Sequence, residues 1–538
     1  MNALPPWLVP LPDAEAMRAI DRWAIERRGV PGLDLMERAG AGVARAVERL
    51  APDGPVTIVC GKGNNGGDGL VVARLLREAD RRVTVVCAES PQAFAGDARA
   101  NLERLPGEPP VDLDGAPWER GTDPPGSRAD AATDVLTGAE LVVDAILGTG
   151  FQGEPHGAAA DAIEAVNHAG RRVVSVDVPS GVDASTGEVS GAAVRATLTV
   201  SFHAGKPGLW INPGKAHAGE VQTIDIGIPR GAPGTSPIGL IAPSVLGVLA
   251  RRGAASTKFS SGHVLVVGGS RGLTGAPRMA AAASMRTGAG YVTACVPASL
   301  QALLASGGTP EMMTRGLPDE DGALSADGVD AVLEASARGG ALALGPGLGR
   351  TAGALEFARS LARQARLAMV LDADGLNAHA GRLHELAARG APTVLTPHAG
   401  ELGRLLELDS AQIERARLRH VRAAAERSAA VVVLKGDDTL VAEPSGRVAV
   451  SPGGAPALAT AGTGDVLTGV IAALLAQGLD PFTAAAAGVR LHTQAGREAA
   501  RRVGSAEGVI ATDVIAALPA VRAAQDVRGQ RDHGSCDD

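Results

Sequence analysis

The chain has 538 residues, 45% of them hydrophobic and 20% charged, with a formal net charge of −8. That acidic balance, with one Tyr and six Phe, argues against a nucleic-acid partner. Four cysteines without metal-ligand spacing, and no uninterrupted run of about 18 apolar residues, argue against a zinc domain, a disulfide scaffold and a membrane-spanning helix.

The length leaves room for roughly two to four domains. Asp13 is placed to cap a helix running to Arg28, and residues 35–50 form a second amphipathic helix. A strand over 55–61 follows. The sequence then predicts a turn from Gly61 to Gly69 and a helix over 70–79. Runs at 82–88, 140–148, 171–181, 196–202 and 220–227 supply further strands. Alternating strands and helices imply a parallel sheet with ligands at the strands' carboxyl ends.

Gly61-x-Gly63-x-x-Gly66 has the spacing of a dinucleotide fingerprint, with Glu89 near the ribose-binding offset. Asn64, Asn65 and Asp68 fill this turn with side-chain oxygens, where a pyrophosphate is better served by bare backbone N–H groups. Asp144, and Asp177 with Ser180, enrich two other strand ends in oxygen. Three such ends predict a hard-cation and ligand site; the alternative is that Asn and Gly only satisfy turn geometry.

GKGNNGGDG, with LMERAG upstream and VDAILGTGFQGE and DVPSGVD downstream, resembles the NAD(P)H-hydrate epimerase domain over residues 10–230. The resemblance implies a Rossmann-like three-layer α/β/α fold and a potassium ion on Asn65, Asp144 and Ser180. It implies substrate contacts at Asn64, Asn65, Gly66, Gly67 and Asp68, at Gly148, Thr149, Gly150, Phe151, Gln152, Gly153 and Glu154, and at Asp177. The implied reaction inverts C6 of a hydrated nicotinamide ring, for which Asp177 is the candidate proton-transfer group. Lys206 is a second candidate; a surface lysine in a Gly-Pro turn is its alternative.

Residues 228–237 are rich in turn formers and read as a linker, with a boundary near 233. The strand–helix rhythm then resumes through runs at 263–270, 275–296, 341–349, 368–377, 392–402 and 430–443. Polar groups again follow the strands: Gly347, Asp372, Asp374, His398 and residues 435–439. Thr460-Ala-Gly-Thr-Gly-Asp465 opens an apolar helical run. Free N–H groups at such a helix start favour an anion, and Asp465 beside it can take a proton. That pairing is the machinery of phosphoryl transfer to a hydroxyl. An ordinary helix start, with Asp465 satisfying the dipole, is the alternative.

GGS with GAP, then GPGLG, DADGLN, TPHAGE, LKGDDT and AGTGD, resemble the NAD(P)H-hydrate dehydratase, a branch of the ribokinase-like α/β fold, over about 255–520. The resemblance implies phosphorylation of the hydrate hydroxyl, which then leaves as phosphate. It implies substrate on Ala276, Gly347, His398 and Asp465, with Asp465 as base. It implies nucleotide on Lys435, Gly436, Asp437, Asp438, Thr439 and Gly464, with Mg²⁺ bridging the phosphates. ADP is the co-substrate implied.

The two resemblances together imply a two-domain bifunctional enzyme, 1–232 and 233–525, with a disordered tail over 526–538. It would epimerise the R and S forms of hydrated NADH and NADPH. It would dehydrate the S form at the expense of ADP, giving AMP and phosphate. A vitamin-type alcohol kinase, an NAD-dependent dehydrogenase and, for the first half, a scaffolding module are the rival readings. Small-molecule partners, a homo-oligomeric state, a cytoplasmic location and no membrane association complete the expectation; no basic region followed by an apolar segment opens the chain.

Overall fold

The computed structural model describes residues 4–111, 135–233, 236–307 and 309–532. The chain divides into two units, Pro10–Gly239 with Met1–Leu4, and Leu240–Asp538 with Pro5–Val9. The first strand, β1 (Leu8–Pro10), lies at the edge of the second unit's sheet. The expected 1–232 domain is therefore corrected at its start, because Pro5–Val9 belongs with the second unit. Trp7 accepts a bond from the Ala242 N–H at 3.0 Å, and its ring lies 5.8 Å from that of Phe482.

The first unit is a six-stranded parallel sheet. Its strands are β2 (Val56–Cys60), β3 (Val83–Cys87), β4 (Leu141–Ala145), β5 (Arg172–Val176), β6 (Leu198–Phe202) and β7 (Glu220–Ile224), in the order β3-β2-β4-β5-β6-β7. Period-2 alternation sends Val56, Ile58 and Cys60 into one core and Val59 into another. The first core lies under helices Ala14–Arg22, Gly32–Leu50 and Asn64–Glu78, the second under Ala158–His168. Helices on both faces make the expected three layers. Asp13 caps the first helix by accepting from the Ala16 N–H at 2.8 Å. That helix stops at Arg22 and a π-helical turn over Trp23–Arg27 follows, a common feature near functional sites.

The predicted turn over Gly61–Gly69 is shorter than expected, because the helix already begins at Asn64. A Cβ on Gly66 would sit 1.7 Å from the Gly61 carbonyl oxygen. Glycine there lets the helix start press onto the end of β2, so the fingerprint spacing serves packing. Glu89, the ribose-offset residue, accepts from the Lys62 N–H at 3.3 Å and faces the Lys62 ammonium at 3.6 Å.

The second unit is built on an eleven-stranded sheet with a small hairpin beside it. Its strands are β8 (Ile238–Ile241), β9 (His263–Val267), β10 (Tyr291–Pro297), β11 (Met313–Leu317), the hairpin β12 (Asp319–Glu320) and β13 (Ala323–Leu324), β14 (Ala341–Leu344), β15 (Ala368–Leu371), β16 (Thr393–Leu395), β17 (Val431–Leu434), β18 (Leu440–Ala442) and β19 (Val448–Val450). The order is β1-β8-β19-β18-β17-β16-β15-β14-β9-β10-β11, parallel from β17 to β11 and antiparallel across β17-β18-β19. The inner parallel strands β14, β15 and β17 are apolar on both faces, as a sheet covered by helices requires, whereas the edge strand β11 carries Thr314 and Arg315 and is only partly buried. The last helix runs Ala511–Asp532, past residue 526 where a tail was expected. Residues 533–538 lie outside the described residues.

Trp7 is 6% exposed, and full burial of a Trp side chain is worth about 3–5 kcal/mol on truncation to Ala. Trp7→Ala in the full chain should therefore lower the urea midpoint for loss of second-unit activity and leave the first-unit midpoint in place. Equal shifts of both midpoints would contradict the assignment of Pro5–Val9 to the second unit.

Candidate active sites

In the first unit the polar groups meet at the carboxyl ends of β4, β5 and β6. Asp177 follows β5 with φ of 65°, a left-handed backbone rarely adopted by non-glycine residues and costing on the order of 1–3 kcal/mol. Its Oδ1 accepts from Lys206 Nζ at 2.5 Å, the Phe202 N–H at 3.2 Å and Ser201 Oγ at 3.4 Å. Thr149 Oγ1 donates to Oδ2, which brings the 148–154 loop onto this carboxylate. Lys206 is 1% exposed and also donates to Ser201 Oγ and the Phe202 carbonyl. The surface-lysine alternative is thus excluded. Burial pushes the Asp177 carboxyl up, but the Lys206 charge and the donated hydrogen bonds bring it to a net position below the usual range.

Two more carboxylates share this field. Asp68 is buried, and burial first, then Asp177 and Asp21, push it well up against the opposing pull of Lys206. Burial raises Asp21 too, with Asp177 adding and Lys206 opposing. Asp21 is a member of this cluster that no motif marks. Its signal was available: Met17, Ile20 and Ala24 are the buried face of its helix, so Asp21 stands at the edge of that face. The helix is tied to this corner by the Ala14 N–H, which donates to Ser185 Oγ at 3.0 Å.

Asp144, at the end of β4, is fully buried. It accepts from Ser175 Oγ at 2.8 Å, the Ser180 N–H at 2.9 Å, Ser180 Oγ at 2.5 Å and the Ile146 N–H at 3.3 Å. Register places Ser175 beside Asp144 on the neighbouring strand. Burial raises its carboxyl, and these donors oppose the rise. Asn65 lies against Gly148, where an added Cβ would come 2.9 Å from Asn65 Oδ1. Leu147 donates its N–H to Ser180 Oγ at 2.8 Å. Asn65, Asp144 and Ser180 therefore gather around the 147–148 backbone. Asn64, Gly66, Gly67 and Asp68 lie in the first turns of the adjoining helix. Gly150, Gln152, Gly153 and Glu154 are exposed in the loop, with Phe151 half-buried.

The second unit's site gathers at the ends of β15, β16 and β17 and the start of helix Thr463–Ala476. Gly462, at φ 88°, turns the chain into that helix, and no side chain caps its start. Asp465 stands in the first turn. Burial, then Asp372, raise its carboxyl to about 7 against the pull of Lys435. Asp372 accepts from Lys435 Nζ at 3.0 Å, Thr396 Oγ1 at 2.9 Å and Thr468 Oγ1 at 2.8 Å. Glu401 stands 3.6 Å from the Lys435 ammonium. Burial alone would lower the Lys435 pKa; Asp372 and Glu401 carry it above the usual lysine range, so the ammonium stays charged. Gly464 lies over this pair, and an added Cβ would come 3.7 Å from Lys435 Nζ.

His398 is the N-cap of helix Ala399–Leu406: its Nδ1 accepts from the Gly400 and Glu401 N–H groups, and Glu401 accepts from the His398 N–H at 2.9 Å. Burial lowers its pKa, and an Nδ1 acceptor places the proton of the neutral ring on Nε2. Ala276 and Gly347 are neighbours: a Cβ on Gly347 would come 3.2 Å from that of Ala276. Asp438 pairs with the buried Arg417 at 2.9 Å, and Thr439 Oγ1 donates to the Gly436 carbonyl at 2.6 Å. Asp437 accepts from the Gly454 N–H at 2.9 Å. Of the 435–439 loop, then, Lys435 presents its side chain to the Asp372–Asp465 corner, while Asp438 pairs with Arg417 outside the loop and Thr439 bonds to Gly436 within it. Asp374 is occupied by Gly349, Arg350 and Asn377.

Residues 264–520 match the family profile described as NAD(P)H-hydrate dehydratase, and residues 32–208 that described as YjeF-related protein N-terminus. The chain is 43% identical to the bifunctional NAD(P)H-hydrate repair enzyme of Moorella thermoacetica, over 94% of this chain and 96% of that one. It is 42% identical to the enzyme of the same name from Salinibacter ruber, over 97% and 98%. Among solved structures, the ADP/ATP-dependent NAD(P)H-hydrate dehydratase of Bacillus subtilis, co-crystallised with ATP and Mg²⁺, is 30% identical, with a TM-score of 0.44, over 52% of this chain and 94% of that one.

Proposed function

This chain belongs to the bifunctional NAD(P)H-hydrate repair enzymes, and from that premise we propose how its own residues divide the work. The first unit is the epimerase and the second the dehydratase. In our reading the second unit dehydrates the S form of hydrated NADH or NADPH at the expense of ADP, giving AMP and phosphate. The first unit interconverts the R and S forms, so that both become recoverable.

The observation that carries the dehydratase reading is Asp465, held near neutrality at an uncapped helix start beside a charged lysine. A base poised near the working pH takes a proton most effectively. Asp465 would accept the hydroxyl proton of the hydrate. The helix N–H groups and Lys435 would stabilise the charge on the transferred phosphoryl group. Lys435 is positioned by Asp372 and Glu401, and Thr468 and Thr396 hold Asp372 in place. Ala276, Gly347 and His398 line the substrate side. Mg²⁺ would neutralise phosphate charge when bound. Among the described residues no three His, Cys, Asp or Glu are placed to hold a metal ion together.

This reading has a kinetic test. The ionised base is the active form, so kcat/KM for dehydration should rise with pH through a midpoint near 7 and then level off. A profile flat over about two pH units on either side would remove Asp465 as the base.

In the epimerase, Asp177 is the group that accepts and returns a proton, with Lys206 holding it ionised and oriented. Asp68, pushed the other way, is suited to remain protonated beside it. The oxygens of Asn65, Asp144 and Ser180 fit a potassium ion. Asp144 is a buried carboxylate with hydrogen-bond donors but no ion pair among the described residues, and the Asn65 side-chain oxygen lies against the same 147–148 backbone. A bound K⁺ would offset the Asp144 charge and fix the 147–148 backbone, and so the Thr149 contact to Asp177. Asp144→Ala should weaken thallium(I) or potassium binding by about 10–100-fold or more and slow epimerisation, with dehydration unchanged. Asp144→Asn keeps the volume and should act in the same direction. Normal cation binding in both would remove the site.

No described helix is long and apolar enough to cross a membrane. Cys60, Cys87 and Cys295 are free and buried, in keeping with our assignment to a reducing cytoplasm.

A further inference from the structure

We propose that His492, which lies outside the motifs of both sites, is a positioning residue of the dehydratase: its imidazole holds the Thr463 carbonyl and so fixes the helix start that carries the Gly464 N–H and Asp465. The role presupposes that Asp465 is the base. That helix start lacks the usual restraint. No side chain caps helix Thr463–Ala476, and Gly462 leads into it at φ 88°. An uncapped start leaves its first N–H groups free for a phosphate, but it also lacks the bond that normally anchors the first turn. The Thr463 hydroxyl supplies one substitute, donating to the Leu458 and Thr460 carbonyls at 2.8 and 2.9 Å. This ties the incoming chain to the helix and leaves the first turn to be placed from the other side.

The other side is helix Pro481–Val503. Gly488, His492 and Gly496 follow at four-residue intervals and so share one face of it. A Cβ on Gly488 would come 2.7 Å from Ile471 Cγ1 on helix Thr463–Ala476, and one on Gly496 would come 2.8 Å from Leu458 Cδ2. The two glycines thus press this face onto the catalytic helix at one end and onto the chain entering it at the other. His492 lies midway, about 6 Å along the axis from each. There it is 7% exposed, with its ring against the Thr463 backbone. Burial lowers its pKa to about 4; the bond to the Thr463 carbonyl opposes that fall, and Lys435 adds to it. The ring is therefore neutral at working pH, with a single N–H. Nε2 has no hydrogen-bond partner among the described residues, so the bond to Thr463 runs from Nδ1. A residue that only filled space would need no polar atom here, and leucine would leave none unsatisfied. The Nδ1–H on the Thr463 carbonyl is what the imidazole adds.

Asp465 stands two residues beyond Thr463 in the same turn. A tilt of that turn moves its carboxyl and the Gly464 N–H together, and a misplacement of about 1 Å can cost about 10²-fold in rate. It also opens the carboxyl to water. Burial is the largest cause of the raised Asp465 pKa, ahead of Asp372 and against Lys435, so a loosened helix start brings that pKa down.

The test compares His492→Asn, His492→Gln and His492→Leu in the full chain. An Asn amide can place its N–H where Nδ1–H stands, a Gln amide places it where Nε2 stands, and Leu has none. We expect dehydration kcat to fall by about 10–100-fold in the Gln and Leu variants and to stay close to wild type in the Asn variant. The midpoint of the pH profile, near 7 in wild type, should move to lower pH in the Gln and Leu variants and hold in the Asn variant. Epimerisation should be unchanged in all three, since its groups lie in the other unit. Equal kcat in the three variants, high or low, overturns the role, because a donor at the Nδ1 position would then not matter. So does a fall in kcat that leaves the midpoint in place, because the helix start would not have moved. Should the Leu chain fail to fold, Asn against Gln carries the comparison. A wild-type profile with no midpoint near 7 removes Asp465 as the base instead, and the ranking of the three variants in kcat then decides on His492 alone.

Discussion

Asp465→Asn should reduce ADP-dependent dehydration by about 10²–10⁴-fold, the usual worth of a positioned base. The amide keeps the shape of the carboxylate but cannot take the hydroxyl proton. ADP affinity should persist, because Lys435 and the Gly464 backbone are untouched. Epimerisation should persist, because its groups lie in the other unit. Stability gives a further check. The folded-state pKa of Asp465 is raised, so its ionisation works against the fold as pH climbs from the ordinary carboxylate range through about 7. Above that pH the Asn variant should melt at or above the wild-type temperature. If Asp465 were only a helix-start residue, Asn would serve nearly as well and turnover would change little. Lost turnover together with lost ADP binding would indicate a collapsed loop.

Asp177→Asn is the corresponding variant in the epimerase, with an expected loss of about 10²–10⁴-fold in epimerisation. It carries a stability penalty that Asp465→Asn does not. Lys206 is 1% exposed and would lose its carboxylate partner. Breaking a buried pair from one side costs on the order of 3–5 kcal/mol. The pH dependence has the opposite sign: a depressed Asp177 carboxyl contributes stability that is present at neutral pH and is lost as pH falls through its folded value. Asp177→Asn/Lys206→Met removes both charges, so it should recover much of the melting temperature and none of the epimerisation. Recovery of activity in the double variant would show that the pair holds the fold and that the proton moves elsewhere.

The strand ends were legible because buried parallel strands read as short apolar runs, and the polar residues that follow them stand out. Asp144, Asp177 and Asp372 are visible in this way, and Asp465 from the glycine-rich start of an apolar helix. Where glycine is concerned the sequence misleads, since it signals a turn and close helix packing alike. Asn64–Gly69 read as loop and is helix, because its glycines let the helix start approach the end of β2. Lys206 was ambiguous because a Gly-Pro context says nothing about burial; only the fold brings Asp177 to it. His398 drew attention as a lone histidine at a strand end, and its Nδ1 caps a helix. The resemblance puts nucleotide on Asp438, and the fold gives its side chain to Arg417, 21 residues upstream. Pro5–Val9 could not be assigned from the sequence, because strand pairing at an edge across more than 200 residues leaves no local signal.

The most direct measurement is to supply the full chain with a mixture of hydrate epimers, with and without ADP, and to follow reduced nicotinamide together with phosphate. The account predicts that without ADP the epimers equilibrate and no reduced nicotinamide appears. With ADP both epimers should be consumed, with one phosphate and one AMP released for each NADH or NADPH regenerated. Accumulation of a phosphorylated hydrate, or regeneration that proceeds equally without a nucleotide, would contradict it.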